Sequence, residues 1–327
     1  MRGYLLTLPV ALAGALLLTG CGSQQAGSQS GGRPPASGAR PGEVSCGAQP
    51  SDAQSATGTR ALPGDSSGPA KDGVRITASS GACAEFEVTN SEPEPFTYSV
   101  TFEFRSGSGE ALATAKQTVA SVGPGRTVKS SVNGGPLPNA GGKPQVRIAE
   151  VRSVPSSEAS AEAGPCPQSG VRVYADDADA AMGLRALSLH LENCGTATSR
   201  LNGYPQLQLL DERHAAVDTV KILQGGSTIA TGTGADGTPE PLVLKPGERA
   251  YAVLVWRNTV EAGAGSPVDA PYLRVRAKPG SDPVMVIPEL DLGTTGQLGV
   301  GPWKKDETQG RPATGATTGT QPPAQRR

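Results

Sequence analysis

The chain has 327 residues, with 29 lysines and arginines against 30 aspartates and glutamates, a formal net charge of −1. Nothing in that balance offers a basic face to release counterions from a phosphate backbone, which excludes ordinary nucleic-acid binding. Glycine and proline number 44 and 29, and they crowd near the two ends, where too little apolar surface exists to offset the cost of ordering.

Met1 and Arg2 start the chain with positive charge, and Leu5 to Leu18 follow as an apolar run broken by Thr7, Pro9 and Gly14. This run is shorter than the roughly twenty residues of a spanning helix. It has the charged start and short apolar centre of an export signal. Leu18-Thr19-Gly20-Cys21 resembles the lipobox of bacterial lipoproteins. The resemblance implies a signal peptide over 1–20, a diacylglycerol thioether on Cys21, and anchoring at the outer face of the cytoplasmic membrane. Two or more acyl chains hold durably, since each buried methylene adds about 0.8 kcal/mol. Loss of Arg2 with the leader brings the net charge to about −2.

Residues 21–70 read as the lipidated cysteine and a disordered Gly/Ser/Pro tether, and 304–327 as a tail of the same kind. "GDSSG" (64–68) matches G-x-S-x-G, but no strand precedes it and no helix follows, so it reads as linker. Five cysteines are present: Cys21, Cys46, Cys83, Cys166 and Cys194. Lipidation of Cys21 leaves four, enough for two bridges in an oxidising compartment. Three connectivities exist; Cys46–Cys83 with Cys166–Cys194 keeps each bridge within one region. No CxxC spacing supports zinc, and no metal site or cofactor is expected.

Between tether and tail, two domains are expected, over 71–155 and 164–303. In "FTYSVTFEFR", Phe96, Tyr98, Val100, Phe102 and Phe104 alternate with polar residues, and "AEFEVTN" does the same with Phe86 and Val88. Period two with aromatic and β-branched residues predicts half-buried antiparallel strands. In the later region "LSLHLEN" turns Leu187, Leu189 and Leu191 inward, and "RAYAVLVWR" and "APYLRVRA" follow between Pro and Gly boundaries. The regions also share a layout. Each has a strand ending in an asparagine, Asn90 or Asn193, and later a Pro-Gly corner at 124–125 or 246–247. The expected fold class is all-β, as two tandem immunoglobulin-like antiparallel β-sandwich domains.

"LENCG", "GYPQLQLLDE" and "LVLKPGERAYAVLVWRN" together resemble the actinobacterial domain of unknown function family 4232, over roughly Cys166 to Trp303. That resemblance implies a β-sandwich on a secreted or lipid-anchored protein, with a disulfide between Cys166 and Cys194. It brings no activity and no catalytic residues.

Few residues point to chemistry. "GTGADG" (232–237) matches G-x-G-x-x-G, but "TPEPLVLKPG" after it cannot be the helix a dinucleotide site needs. Asp176, Asp177 and Asp179 crowd one loop without the spacing of a calcium loop, and read as a solvated turn. His190 and His214 are the two histidines, and neither has an evident catalytic partner. Tyr204 reads either as a corner tyrosine bonded to backbone or as a contact residue. The loop Gly225–Glu240 has no predicted element, and loops of that length are usually functional or disordered. Tyr204, Gly225, Gly226, Gly232 and Asp236 are therefore the candidate binding residues.

These observations lead to the expectation of a lipid-anchored, extracytoplasmic, non-catalytic binding or interaction protein of the cell envelope. Membrane lipid would be met through the anchor, and a cell-wall glycan or envelope protein through loops or an edge strand. Two other readings compete with it. One is an envelope enzyme acting on a wall polymer through Asp and Glu residues; the other is a structural spacer.

Overall fold

The computed structural model describes residues 70–138 and 142–307, so the leader, Cys21, Cys46 and the 64–68 motif lie outside the described residues. Those described residues fall within one compact unit and contain no helix.

The N-terminal half holds β1 (Ala70–Lys71), β2 (Val74–Ser80), β3 (Cys83–Thr89), β4 (Phe96–Arg105), β5 (Ala111–Val122), β6 (Thr127–Asn133) and β7 (Gln145–Pro155). One sheet has the order β1-β2-β3-β6 and the other β5-β4-β7. The alternation in β4 works as expected: Phe96, Tyr98, Val100, Phe102 and Phe104 are all buried and the residues between them are not. They meet Val74, Phe86 and Val88 of the opposite sheet in one core. Phe86 and Phe102 touch across the two layers, ring centroids 4.7 Å apart. A face of aromatic and β-branched residues can leave water only against a second such face, which is why two layers form.

The C-terminal half continues with β8 (Val171–Ala175), β9 (Asp179–Ala181), β10 (Leu184–Asn193), β11 (Ser199–Leu201) and β12 (Gln206–Leu210). Next come β13 (Lys221–Gln224), β14 (Leu242–Leu244), β15 (Arg249–Arg257), β16 (Asp269–Ala270) and β17 (Tyr272–Arg276). The last are β18 (Pro283–Val286), β19 (Leu290–Asp291), β20 (Gln297–Val300) and β21 (Lys304–Lys305). The large sheet runs β13-β20-β15-β10-β8, with β9 added on β10 and β21 on β15. Small sheets, β11-β14, β12-β17-β18 and β16-β19, supply the rest. Leu187, Leu189, Leu191, Leu254 and Trp256 from the large sheet share a core with Leu209, Leu273 and Val275 from β12 and β17. Among these strands pairing is antiparallel apart from β13 on β20, which is parallel. Pairing also continues past Trp303, since Lys304 sits opposite Tyr251 on β15. The architecture is all-β in both halves, consistent with the expected immunoglobulin-like sandwiches.

The layout shared by the two halves extends to individual hydrogen bonds. The Asn90 side chain donates to Glu94 O and Val122 O, both at 2.8 Å, and its Oδ1 accepts Glu92 N–H. Asn193 donates to Ala197 O at 2.9 Å and Leu244 O at 2.8 Å, and its Oδ1 accepts Gly195 N–H. Main-chain bonds match as well. Asn90 N–H donates to Arg126 O and Gly125 N–H to Asn90 O; Asn193 N–H donates to Glu248 O and Gly247 N–H to Asn193 O. In each half a buried carboxamide thus ties the turn after one strand to the Pro-Gly corner before its partner. The short side chain suits the task because it carries two donors and an acceptor in one plane.

The halves meet through β7. Arg152 donates to both oxygens of Glu289, at 2.6 and 2.7 Å, and that carboxylate holds the guanidinium more firmly protonated than usual. Ser153 N–H donates to the Tyr272 hydroxyl at 3.1 Å, and Ser153 O accepts His214 Nε2–H at 2.9 Å. The His214 ring lies between Phe96, nearly parallel at 6.0 Å, and Tyr272, edge-on at 4.5 Å. Val154, Leu210, Tyr272 and Met285 add a small core of their own. After β7, Glu158 O accepts Met285 N–H and its carboxylate accepts Arg274 Nε–H, both at 2.7 Å.

Candidate functional site

The loop from Gly225 to Glu240 contains no strand, as expected, yet it is folded onto the outer face of β15. Asp236 Oδ1 accepts Gly226 N–H and Ser227 N–H, both at 2.8 Å. Lys304 Nζ donates to Gly234 O and Asp236 O, both at 2.7 Å. Ala235 is fully buried and forms a satellite core with Val253 and Val255, to which Ile229 and Tyr251 add. The backbone can come this close because Gly226 and Gly301 lack side chains: a Cβ on Gly226 would stand 2.7 Å from that of Ala235. Gly225 N–H donates to Val300 O, and Gly232 occupies a left-handed turn with open space around it. Asp236 thus holds the loop together through Oδ1 and its main-chain carbonyl.

Tyr204 is half-buried against the main core, and its hydroxyl makes no hydrogen bond among the described residues. The phenol at a corner is instead Tyr98, whose hydroxyl donates to Asn90 Oδ1 at 3.2 Å. Burial raises its pKa above the ordinary phenol value. The histidines are both engaged. His190 Nε2 pairs with Asp176 at 2.7 Å, its ring stacked on Tyr174 at 5.0 Å, and His214 is wedged between the halves. Among the described residues no group of His, Cys, Asp and Glu is arranged to hold a metal ion.

Where side chains do face open space is the disulfide end of the C-terminal half. Cys166 and Cys194 are bonded, with Cα atoms 5.6 Å apart. Cys83 is also disulfide-bonded; its expected partner, Cys46, lies outside the described residues. The Cys166–Cys194 bridge joins the lead into β8 to the turn after β10. Gly195 N–H donates to Gly170 O at 2.9 Å, and a Cβ on Gly195 would come within 3.0 Å of Gly170 Cα. A third loop, between β17 and β18, is tied in where Lys278 Nζ donates to Arg200 O at 3.3 Å.

These three loops line a cleft of about 860 Å³. Its floor is apolar, with Val171 and Val173 from one layer and Leu201, Ala277 and Val284 from the other. Ser169, Thr196 and Thr198 line its walls, and Arg200, Lys278 and Asp282 are its charged residues. The Arg200 guanidinium has no hydrogen-bond or ion-pair partner among the described residues. An apolar floor with a few convergent polar groups is the common build of a small-molecule site, and such clefts typically hold roughly 300–1,000 Å³. This site was not legible in the sequence, because its loops come from positions 166–170, 194–200 and 277–284 and none carries a ligand-binding motif. The nearest signal is the cysteine pair that frames two of them.

No curated protein matches the chain. Among solved structures, the crystal structure of a putative beta-galactosidase from Bacteroides fragilis is similar at 10% identity and a TM-score of 0.17. The match covers 63% of this chain and 32% of that one, so the chain spans about a third of its length. A likeness that slight carries no argument about fold or activity. Residues 166–304 match the family model described as Domain of unknown function (DUF4232). The matched span takes in the disulfide, the Asn193 corner, the cleft and the first residue of β21, so the C-terminal part of this chain is similar to that family over residues 166–304.

Proposed function

We propose that this chain is a lipid-anchored, extracytoplasmic, non-catalytic binding protein of the bacterial envelope, and that its C-terminal domain takes its ligand in the disulfide-framed cleft. The observation that carries the reading is the cleft itself: a largely apolar floor, with an unpartnered arginine among its lining residues. The engagement of His214 by the junction of the halves supports binding over catalysis at that residue. Anchoring is supported by the lipobox-like residues 18–21, and predicts that Cys21→Ala moves the protein from the membrane fraction to the soluble one.

A photo-crosslinking amino acid placed at Thr198, on the cleft wall, tests the binding role in washed envelopes. Saturable adducts from Thr198, with none from fully exposed Met182 at the other end of β10, are expected, and mass spectrometry would identify the captured component as glycan, lipid or protein. Equal capture from both positions, or none, would sink the proposal.

A further inference from the structure

We infer that the cleft selects an amphipathic anion: a molecule with an aliphatic body and one carboxylate or phosphate head. The inference rests on the proposal that the cleft is the binding site, and goes beyond it by naming the ligand's chemistry.

Two features define the site. The cleft does not end at the surface loops but reaches the edge of the main core, where half-buried Val171 and Val284 face it from opposite layers. A floor of aliphatic side chains offers an alkyl segment the removal of apolar surface from water, without asking any polar group of the ligand to give up its hydration. The charge among the lining residues has a sign. Arg200 and Lys278 outnumber Asp282 among the lining residues, in a protein whose overall charge is −1. Lys278 already donates to the Arg200 carbonyl, so it draws the β17–β18 loop toward Arg200. The Arg200 guanidinium itself has no partner among the described residues. A guanidinium presents a planar fork of donors that matches a carboxylate or a phosphate with two parallel bonds.

An uncharged alkyl ligand would use the floor and leave Arg200 idle. A bare inorganic anion would use Arg200 and leave the floor in water. A ligand that joins an alkyl body to an anionic head uses both, and charge complementarity at the rim sets which way round it lies.

Isothermal titration of the purified full chain tests this with octanoate and octyl phosphate, each below its micellar concentration. Octyl glucoside and inorganic phosphate serve as the uncharged-tail and tail-less controls. Saturable binding of at least one octyl anion is expected, with both controls at least tenfold weaker. A preference between the two anions would identify the head as carboxylate or phosphate. Arg200→Gln should weaken the octyl anions about tenfold and leave octyl glucoside unchanged, while Arg200→Lys should restore part of the loss. Thr198→Trp, which crowds the wall, should abolish octyl binding altogether and so separates the cleft from any other apolar surface of the chain.

The inference is overturned if octyl glucoside binds as well as the anions, if inorganic phosphate binds as well as octyl phosphate, or if neither anion saturates. Should the anions fail while crosslinking from Thr198 still captures an envelope component, the ligand class falls and the binding role of the cleft stands.

Discussion

Truncating Asn193 would leave the buried Leu244 O, and the part-buried bond to Ala197 O, without the donor each now has. An unsatisfied buried polar group costs about 1–3 kcal/mol. Asn193→Ala is therefore expected to destabilise by roughly 2–4 kcal/mol, and Asn90→Ala by a similar amount, in urea unfolding. A loss below about 1 kcal/mol would mean that water enters the corner and replaces the side chain. At Gly226 the danger is the opposite, too much atom instead of too little. Its missing Cβ leaves room for Ala235 and Val255, so Gly226→Ala should cost about 1–3 kcal/mol through overpacking. Unchanged stability there would show that the 225–240 loop lifts easily from β15. The sequence displayed Asn90 and Asn193 as matching landmarks, yet not their role, because nothing local marks a side chain that bonds across to a turn dozens of residues later.

Element by element, the long strands were legible and the short ones were not. β4 reveals itself by alternation over its ten residues, and β10 by alternation from Leu187 to its end. β16, β19 and β21 have two residues apiece and no period to detect. β13 lies parallel to β20, and no local pattern in residues 221–224 announces a partner at 297–300. The strands that carry tyrosines make a pH prediction. Burial raises the phenols of Tyr98, Tyr174 and Tyr272 above their ordinary value of 10.0. In the unfolded chain these groups lose their protons near pH 10, while the folded protein still holds them. Stability is thus unaffected below about pH 10 and falls as pH rises from there through the folded-state values. Tyr272→Phe should lessen that alkaline loss, as measured by urea midpoints between about pH 8 and pH 11. On the acid side, Arg105 and Arg147 hold the Glu103 carboxyl below its ordinary 4.5. The contribution of that carboxylate is present above this value and is lost as pH falls through the lower, folded-state one.

For the whole molecule, the junction decides whether the halves behave as one body. Composition and spacing pointed to two regions but said nothing of their contact, since Phe96, Ser153, His214 and Tyr272 come from four distant stretches. The cleft was illegible for the same reason. His214 offers a clean test because its backbone is left-handed, with φ of 60°, a conformation glycine adopts without strain. His214→Gly therefore removes the ring and its bond to Ser153 O without burdening the turn. Combined with Arg152→Ala, which deletes the pair with Glu289, it should split a single calorimetric unfolding transition into two. Persistence of one transition in the double variant would place the coupling in the Val154–Met285 core instead.

The twin asparagine corners have a spectroscopic consequence. Both side-chain N–H groups of Asn90 and of Asn193 are bonded to carbonyls inside the protein, and both residues are out of contact with solvent. Most carboxamide protons exchange with heavy water at once; these two pairs should persist, and each exchanges only when its own corner opens. A single nitrogen–proton spectrum would then carry one built-in clock for each half, so that the opening of the N-terminal corner could be timed against that of the C-terminal one in the same tube.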